Sequence, residues 1–198
     1  MPAVHVNEEN VHEFEDPESF YAWLSEHHAT SDELWIKLHK VGSGRKSITP
    51  KEAIDVVLCW GWIDAIRKRF DEQSYLQRYV PRRPKSLWSK VNVGNVARLI
   101  DEGRMTEHGL KQVELAKADG RWQRAYAGSR EMVVPEDLRA AIAAVPEAQA
   151  AFERLSSQNR YAILFRLSQL KTEAGRKKRM AEYVSMLGRG ETIYPQSR

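Results

Sequence analysis

The fold of this 198-residue chain is decided by residues 49–80, which read TPKEAIDVVLCWGWIDAIRKRFDEQSYLQRYV. Thr49 and Glu52 have the spacing of a capping box, in which each side chain accepts a hydrogen bond from the other residue's backbone N–H group. Pro50 suits the first helical position, where a backbone N–H group would have no partner within the helix. These signals predict a helix that ends just before Gly61, since glycine interrupts helices.

The second half of this stretch predicts a β-hairpin. Residues 62–70 and 74–80 are rich in β-branched and aromatic side chains, and a short polar turn joins them. Upstream, the pair Asp16-Pro17 predicts another helix start. Residues 34–41 alternate apolar and polar side chains as a half-buried strand does. The resulting order, α-β-α-β-β, predicts an α+β fold with a small antiparallel sheet and helices packed on one face.

The rest of the chain has helical periodicity. Ser89 and Thr106 are predicted helix caps, and Pro135 and Pro146 are predicted to lie at helix starts. Two more helices are predicted over residues 157–171 and 172–187. The side chains predicted to face inward include Ile100, Leu110, Tyr161 and Ser168.

Residues 126–134 are predicted to form a loop that separates two parts of the chain. We therefore expect an α+β domain over residues 1–125 and a helical C-terminal subdomain over residues 126–198. A chain of 198 residues buries enough surface to fold without a disulfide or a metal.

The composition predicts a cytoplasmic protein. Cys59 is the only cysteine, so no internal disulfide can form, which fits a reducing compartment. The first residues are acidic and lack the basic and apolar regions of a signal peptide. No run approaches the roughly 18 uncharged apolar residues of a membrane-spanning helix, so no transmembrane segment is expected.

The formal charge of +4 is distributed unevenly along the chain. Residues 1–33 carry nine acids and no Lys or Arg, whereas residues 66–92 carry a net charge of +6 and residues 154–189 one of +7. In one interpretation these segments neutralise each other within the fold. In the other, the basic segments bind a polyanion such as nucleic acid. The corresponding candidates on the last helix are Arg176, Lys177, Lys178 and Arg179.

No motif predicts catalysis or metal binding. The histidines lack metal-ligand spacing, and the adjacent His27 and His28 point about 100° apart on a helix. Residues 42–47, GSGRKS, contain glycines and bases but lack the spacing of a phosphate-binding loop. Cys59 is expected to be a small buried hydrophobe. We therefore expect no metal, no cofactor and no enzymatic activity.

Aromatic and charged residues cluster where the predicted elements end. The candidate binding residues are Trp60, Trp62, Asp64, Arg83, Ser86, Trp88, Asn92, Arg121 and Trp122. In one interpretation they form a structural joint in which Asp64 pairs with Arg83 or Arg121. In the other, they line a pocket or groove that binds a partner.

Four stretches, residues 59–64, 83–92, 99–106 and 116–122, read CWGWID, RPKSLWSKVN, LIDEGRMT and AKADGRW. In this order and spacing they resemble the YdeI/OmpD-associated family, also called bacteriocin-protection proteins, over residues 14–190. The resemblance implies an N-terminal part akin to the YjbR/CyaY-like fold, of which DNA binding has been suspected, and a helical C-terminal part. It also implies a role in tolerance of antimicrobial peptides or envelope stress, through an unidentified protein or peptide partner. It supplies no catalytic residues.

Overall fold

A four-stranded mixed sheet forms the centre of the N-terminal part of the protein. Its strands are β1 (Val11–His12), β2 (Leu34–His39), β3 (Trp62–Arg69) and β4 (Ser74–Pro81), in the order β1-β2-β4-β3. The computed structural model describes residues 5–129 and 131–196. These divide into two compact units, the first ending at Ala125 and the second beginning at Tyr126.

Four helices accompany the sheet in the first unit: α1 (Pro17–His27), α2 (Pro50–Cys59), α3 (Lys90–Asp101) and α4 (Glu107–Ala118). They begin at the predicted caps. The Asp16 side chain accepts a hydrogen bond from the Ser19 N–H group, and both bonds of the Thr49/Glu52 capping box are present. The predicted α-β-α-β-β order and the α+β fold are thus confirmed.

The main core lies between the sheet and the first two helices. Leu34, Ile36 and Leu38 of β2 face it at alternating positions and are at most 1% exposed. The helices contribute Phe20 and Leu24 from α1, and Ala53, Val56 and Val57 from α2. The core side of β2 thus agrees with the prediction of a half-buried strand, but Trp35, on the opposite side of β2, is also fully buried.

The two edges of the sheet were not predicted. β1 contains two residues, too few to give a periodic signal, and it runs parallel to β2, which makes the sheet mixed rather than antiparallel. At the opposite edge, the register of β3 shifts between Asp64 and Arg67, and the side chains of residues 64–67 are exposed. A bulge and bases on an edge strand discourage pairing with another chain.

A second core joins α2, α3 and α4, and it corrects two predicted faces. Leu99 is fully buried, whereas the neighbouring Ile100 is 45% exposed and Leu110 is 38% exposed. The buried stripe of α3 is formed by Val96 and Leu99, which pack with Leu58, Cys59, Val113 and Ala116. The direction from which the other helices pack selects this stripe, which periodicity alone does not specify.

The second unit contains α5 (Glu136–Ala143), α6 (Pro146–Glu153), α7 (Ser157–Ser168) and α8 (Glu173–Gly188). Its core includes Leu138, Ile142, Phe152, Ile163, Leu164, Leu167, Tyr183 and Leu187. The prediction that Ser168 faces inward was wrong, because Ser168 is exposed and its neighbour Leu167 is buried. Tyr161 is half-buried. None of the helices in the described residues combines the length and apolar composition needed to cross a lipid bilayer.

Candidate binding site

The nine residues predicted to form a cluster are distributed over four places in the first unit. Trp62 lies in the sheet core, and Asp64 is exposed on edge strand β3. Trp60 belongs to a cluster of aromatic and histidine side chains. The others lie near the loop after β4, the start of α3 and the turn after α4; they are Arg83, Ser86, Trp88, Asn92, Arg121 and Trp122.

Trp88 and Trp122 form the centre of this last group. Their ring centroids are 4.9 Å apart and their planes make an angle of 62°, a favourable edge-to-face arrangement. Trp88 is 2% exposed, and the Arg82 guanidinium carbon lies 3.6 Å from its ring centroid. Arg82 Nη1 also donates to the Leu87 carbonyl at 3.1 Å. The loop after β4 is therefore held by a buried cation–π contact that sequence reasoning missed.

Arg121 connects two loops of this group. Its Nε donates to Asp119 Oδ2 at 2.7 Å, and its Nη1 donates to the Ser86 carbonyl at 2.9 Å. The hydrogen bond from Arg121 holds the pKa of the Asp119 carboxyl below its usual value. Asp64 is not the partner of Arg121 or Arg83, because it lies exposed on β3 and the ion pair of Arg121 is made by its neighbour in sequence, Asp119.

Exposed bases flank Trp88 and Trp122 along the chain, and we call the surface that they form the basic platform. Its bases are Arg83, Lys85, Lys90, Lys117 and Arg124, all exposed. Leu87 and Val91 add apolar surface at 40% and 57% exposure. Arg124 Nη2 donates to the Asp119 carbonyl and Lys117 Nζ lies 3.2 Å from a Glu114 oxygen. The platform thus presents mostly positive charge on a fixed aromatic base.

Trp60 packs beside two histidines that are distant in sequence and that also contact each other. Its ring centroid is 4.7 Å from that of His28 and 5.8 Å from that of His108, and the two imidazoles are 4.1 Å apart. His28 Nδ1 lies 2.9 Å from the Leu24 carbonyl, which can only accept, so this nitrogen carries a proton. His28 Nε2 and Trp60 Nε1 are buried without a hydrogen-bond partner in the described residues.

A second arrangement of the same kind surrounds Trp23. His27 stacks on it at 4.6 Å between ring centroids, and His12 lies 5.4 Å away on the strand side. The pKa of His12 is below its ordinary value, mainly because the ring is partly buried and to a smaller extent because His27 is nearby. The sequence does not predict the ring clusters around Trp60 and Trp23, because the rings in each cluster come from separate elements. The adjacent pair His27-His28 is their only sequence signal.

Cys59 is fully buried at the end of α2, which confirms the prediction that it packs as a hydrophobe. Burial raises the pKa of its thiol to about 11, so the group is protonated at neutral pH. Among residues 5–129 and 131–196, no three His, Cys, Asp or Glu side chains stand close enough together to hold a metal ion.

The basic quartet on α8 is largely paired with acids of its own unit. Arg176 donates two hydrogen bonds of 2.9 Å to Asp137. Lys177 lies 2.6 Å from Glu173 and Arg179 lies 3.0 Å from Glu182. Lys178 is exposed and makes no ion pair with any described residue. These contacts reduce the positive charge that α8 offers to a polyanion.

Within the described residues, the first unit has a mixed sheet and four α-helices, and the second unit has four α-helices. The chain belongs to the family described as a domain of unknown function, DUF8412, which matches residues 12–112. Residues 131–190 match a second family, described as bacteriocin-protection, YdeI or OmpD-associated. No curated protein and no solved structure matches the chain.

The family resemblance is therefore supported in the second unit. The matched residues 131–190 contain none of the four stretches on which the resemblance was based. Three of those stretches, between residues 59 and 106, lie within the match to the domain of unknown function. The likeness to a YjbR/CyaY-like fold finds no support in either family match.

Proposed function

We propose that this protein acts in tolerance of bacteriocins or other antimicrobial peptides by binding a protein or peptide partner, without catalysing a reaction. The match of residues 131–190 to the bacteriocin-protection family carries this proposal. We further propose a cytoplasmic location and a part in envelope-stress tolerance, and a first unit akin to YjbR/CyaY-like folds. The single thiol, Cys59, fits a reducing compartment.

The basic platform is the surface we propose for the partner. Exposed arginine beside aromatic and aliphatic surface is typical of the energetically important centre of protein interfaces. The Trp88–Trp122 pair and Arg121 hold the loops in place, so little ordering is required on binding. The exposed Arg83, Lys85 and Lys90 favour an acidic partner, whose approach such charges accelerate.

A complementation assay tests the proposal. A strain that lacks the protein receives the wild type, or a variant with Arg83, Lys85 and Lys90 changed to alanine. The control variant removes the same charge at three exposed bases outside the platform, Lys51, Arg154 and Lys171. Survival against a bacteriocin should be lost with the platform variant and kept with the control. Equal survival with both variants would show that the platform is not the partner-binding surface. If the wild type did not restore survival, the proposed role in bacteriocin tolerance would be excluded.

The second candidate function is nucleic-acid binding, which the unpaired bases of the platform favour. Arg83, Lys85 and Lys90 form no ion pair with any described residue, in contrast to most of the α8 quartet. Fluorescence anisotropy with labelled DNA and RNA at two salt concentrations tests this candidate. Binding that weakens steeply with salt and is lost in the platform variant supports it. Binding lost only on changing the α8 bases would move the contact to the second unit, and no binding at low salt would refute it.

A further inference from the structure

An open cavity of about 760 Å³ lies beside the loop between β2 and α2. Its walls are residues 39–50 and Tyr75, all in the first unit and none in the basic platform. This volume is within the range of about 300–1,000 Å³ that small-molecule sites occupy. The wall includes the Gly-Ser-Gly segment whose composition, but not spacing, is that of a phosphate-binding loop.

Lys40, Arg45 and Lys46 line this cavity together with His39, and no acidic residue is among its lining residues. Lys40 Nζ donates to the Glu72 carbonyl at 2.7 Å, which places its charge but does not neutralise it. Lys46 is 3.9 Å from a Glu15 oxygen, with both side chains at least 70% exposed, so this ion pair is weak. Arg45 is exposed and pairs with no acid among the described residues.

The backbone of the loop is open to a ligand. Gly42 and Gly44 adopt φ angles of 90° and 74°, and a Cβ atom added at either would meet nothing within 4 Å. The N–H groups of Gly44 and Lys46 donate no hydrogen bond within the described part of the chain. Glycine at left-handed positions in a loop of free N–H groups is a common way to cradle an oxyanion.

His39, which lines the cavity, is held in place by Glu13. The His39 side chain is 4% exposed, and its Nε2 lies 3.0 Å from Glu13. Lys37 Nζ lies 3.0 Å from the other oxygen of this carboxylate, so Glu13 also forms an ion pair with a lysine. Tyr75 is half-buried beside the cavity, and the Arg67 guanidinium carbon lies 4.3 Å from its ring centroid. Tyr75 thus contributes an aromatic ring to the cavity wall.

We propose that this cavity binds a phosphate-bearing small molecule. Arg45, Lys46 and the free N–H groups of the loop contact the phosphate, and Lys40 adds positive charge at one side. The shared chemistry is the phosphate group, which inorganic polyphosphate and nucleotides both supply. A nucleotide also carries a nucleobase that can contact Tyr75, whereas inorganic polyphosphate does not, and this difference distinguishes the two ligands. The proposal is independent of the platform and of the partner proposed for it.

Isothermal titration calorimetry with inorganic pyrophosphate and with ADP tests the site. Changing Arg45 and Lys46 together to alanine should raise the Kd for both probes by about tenfold or more, because hydrogen bonds to charged groups are strong. A control with Lys51 and Arg154 changed to alanine loses the same charge outside the cavity and should bind as the wild type does. The variants alter exposed residues, and a thermal unfolding scan verifies that they fold.

A Tyr75→Leu variant distinguishes the ligand sources. Weaker binding of ADP with unchanged binding of pyrophosphate assigns the cavity to a nucleotide, and unchanged binding of both assigns it to the free anion. The proposal is overturned if the wild type binds neither probe saturably at millimolar concentration. It is also overturned if the control variant weakens binding as much as the Arg45/Lys46 variant does, since that result indicates attraction by net charge alone.

Discussion

Gly109 lies against the carbonyl group of Cys59 so closely that a Cβ atom added at Gly109 would stand 2.3 Å from the carbonyl oxygen. The same oxygen accepts a 2.6 Å hydrogen bond from Thr106 Oγ1 and another from the Thr106 N–H group. Thr106, which caps α4, therefore donates hydrogen bonds to a carbonyl group at the end of α2, where helix carbonyls lack partners within the helix. Cys59 is distant in sequence from Thr106 and Gly109, and only the folded chain brings them into contact.

Replacement of Gly109 by alanine should destabilise the protein by about 3 kcal/mol, because the backbone of α2 must move to admit the methyl group. The matched change Gly94→Ala lies inside α3 at an exposed position where a Cβ meets nothing within 4 Å. It should stabilise by roughly 0.5–1 kcal/mol through helix propensity. Urea unfolding of both variants gives the comparison. Similar effects of the two changes would contradict the close contact.

Trp62→Ala should reduce the free energy of unfolding by about 3–5 kcal/mol, since a large side chain leaves a cavity in the core. Trp62 is 1% exposed and its ring centroid is 6.4 Å from that of Trp23. Arg83→Ala on the exposed loop should change stability by less than about 0.5 kcal/mol. Thermal unfolding distinguishes the two. Trp62 is thus unsuited to a test of binding, whereas Arg83 is suited to one.

Asn159→Ala should destabilise the second unit by about 2 kcal/mol, because buried hydrogen-bonding groups lose their partners. Asn159 is 1% exposed, donates to the Tyr194 carbonyl and to Gln196 Oε1, and accepts from the Tyr194 N–H group. Hydrogen exchange should show faster exchange at residue 194 in the variant. The control is Asn92→Ala, whose side chain makes no hydrogen bond among the described residues. If both changes had the same effect, the contacts of Asn159 would contribute nothing.

Stability should decrease as the pH falls from 7.5 to 5.5, in part because of His12. Its folded pKa is below the ordinary value of 6.5, so the unfolded chain takes up the proton first. The unfolded state then binds more protons than the folded state, and stability rises with pH. The contribution of His12 is fully present above its unfolded pKa near 6.5 and is lost as the pH falls through the folded pKa.

The His12→Leu variant should show a smaller loss of stability between pH 7.5 and pH 5.5 than the wild type. Urea unfolding at the two pH values measures this difference. His5→Leu serves as a control because the His5 side chain is exposed, and this variant should keep the wild-type dependence. An unchanged dependence in His12→Leu would assign the effect to other groups.

Much of the fold could be predicted because its signals are local. The capping box at Thr49 and Glu52, the Asp16 cap and the alternation in β2 depend on residues a few positions apart. Strand β1 could not be predicted, because two residues carry no period and pairing with β2 is a long-range event. The inward side of α3 was assigned one residue away from Leu99 for a similar reason, as helices elsewhere in the chain select it.

The candidate site was predictable in part. Trp88, Trp122, Ser86 and Arg121 do come together, and their unusual composition at element ends was the signal. Arg82 was missed because an arginine buried against a tryptophan is indistinguishable in sequence from the exposed Arg83 beside it. Asp64 was assigned to the group because it is close to Trp62 in sequence, although the side chain is exposed on the edge strand.

The sequence by itself determined where the principal helices and strands begin and that the fold is α+β. These features follow from caps, proline and glycine positions and apolar periods, each of which acts within a few residues. Only the tertiary structure decided which tryptophans are buried, that Asp119 rather than Asp64 pairs with Arg121, and that Gly109 meets the end of α2. Burial and partner choice depend on contacts between residues distant in the chain, and the packing of whole elements sets those contacts.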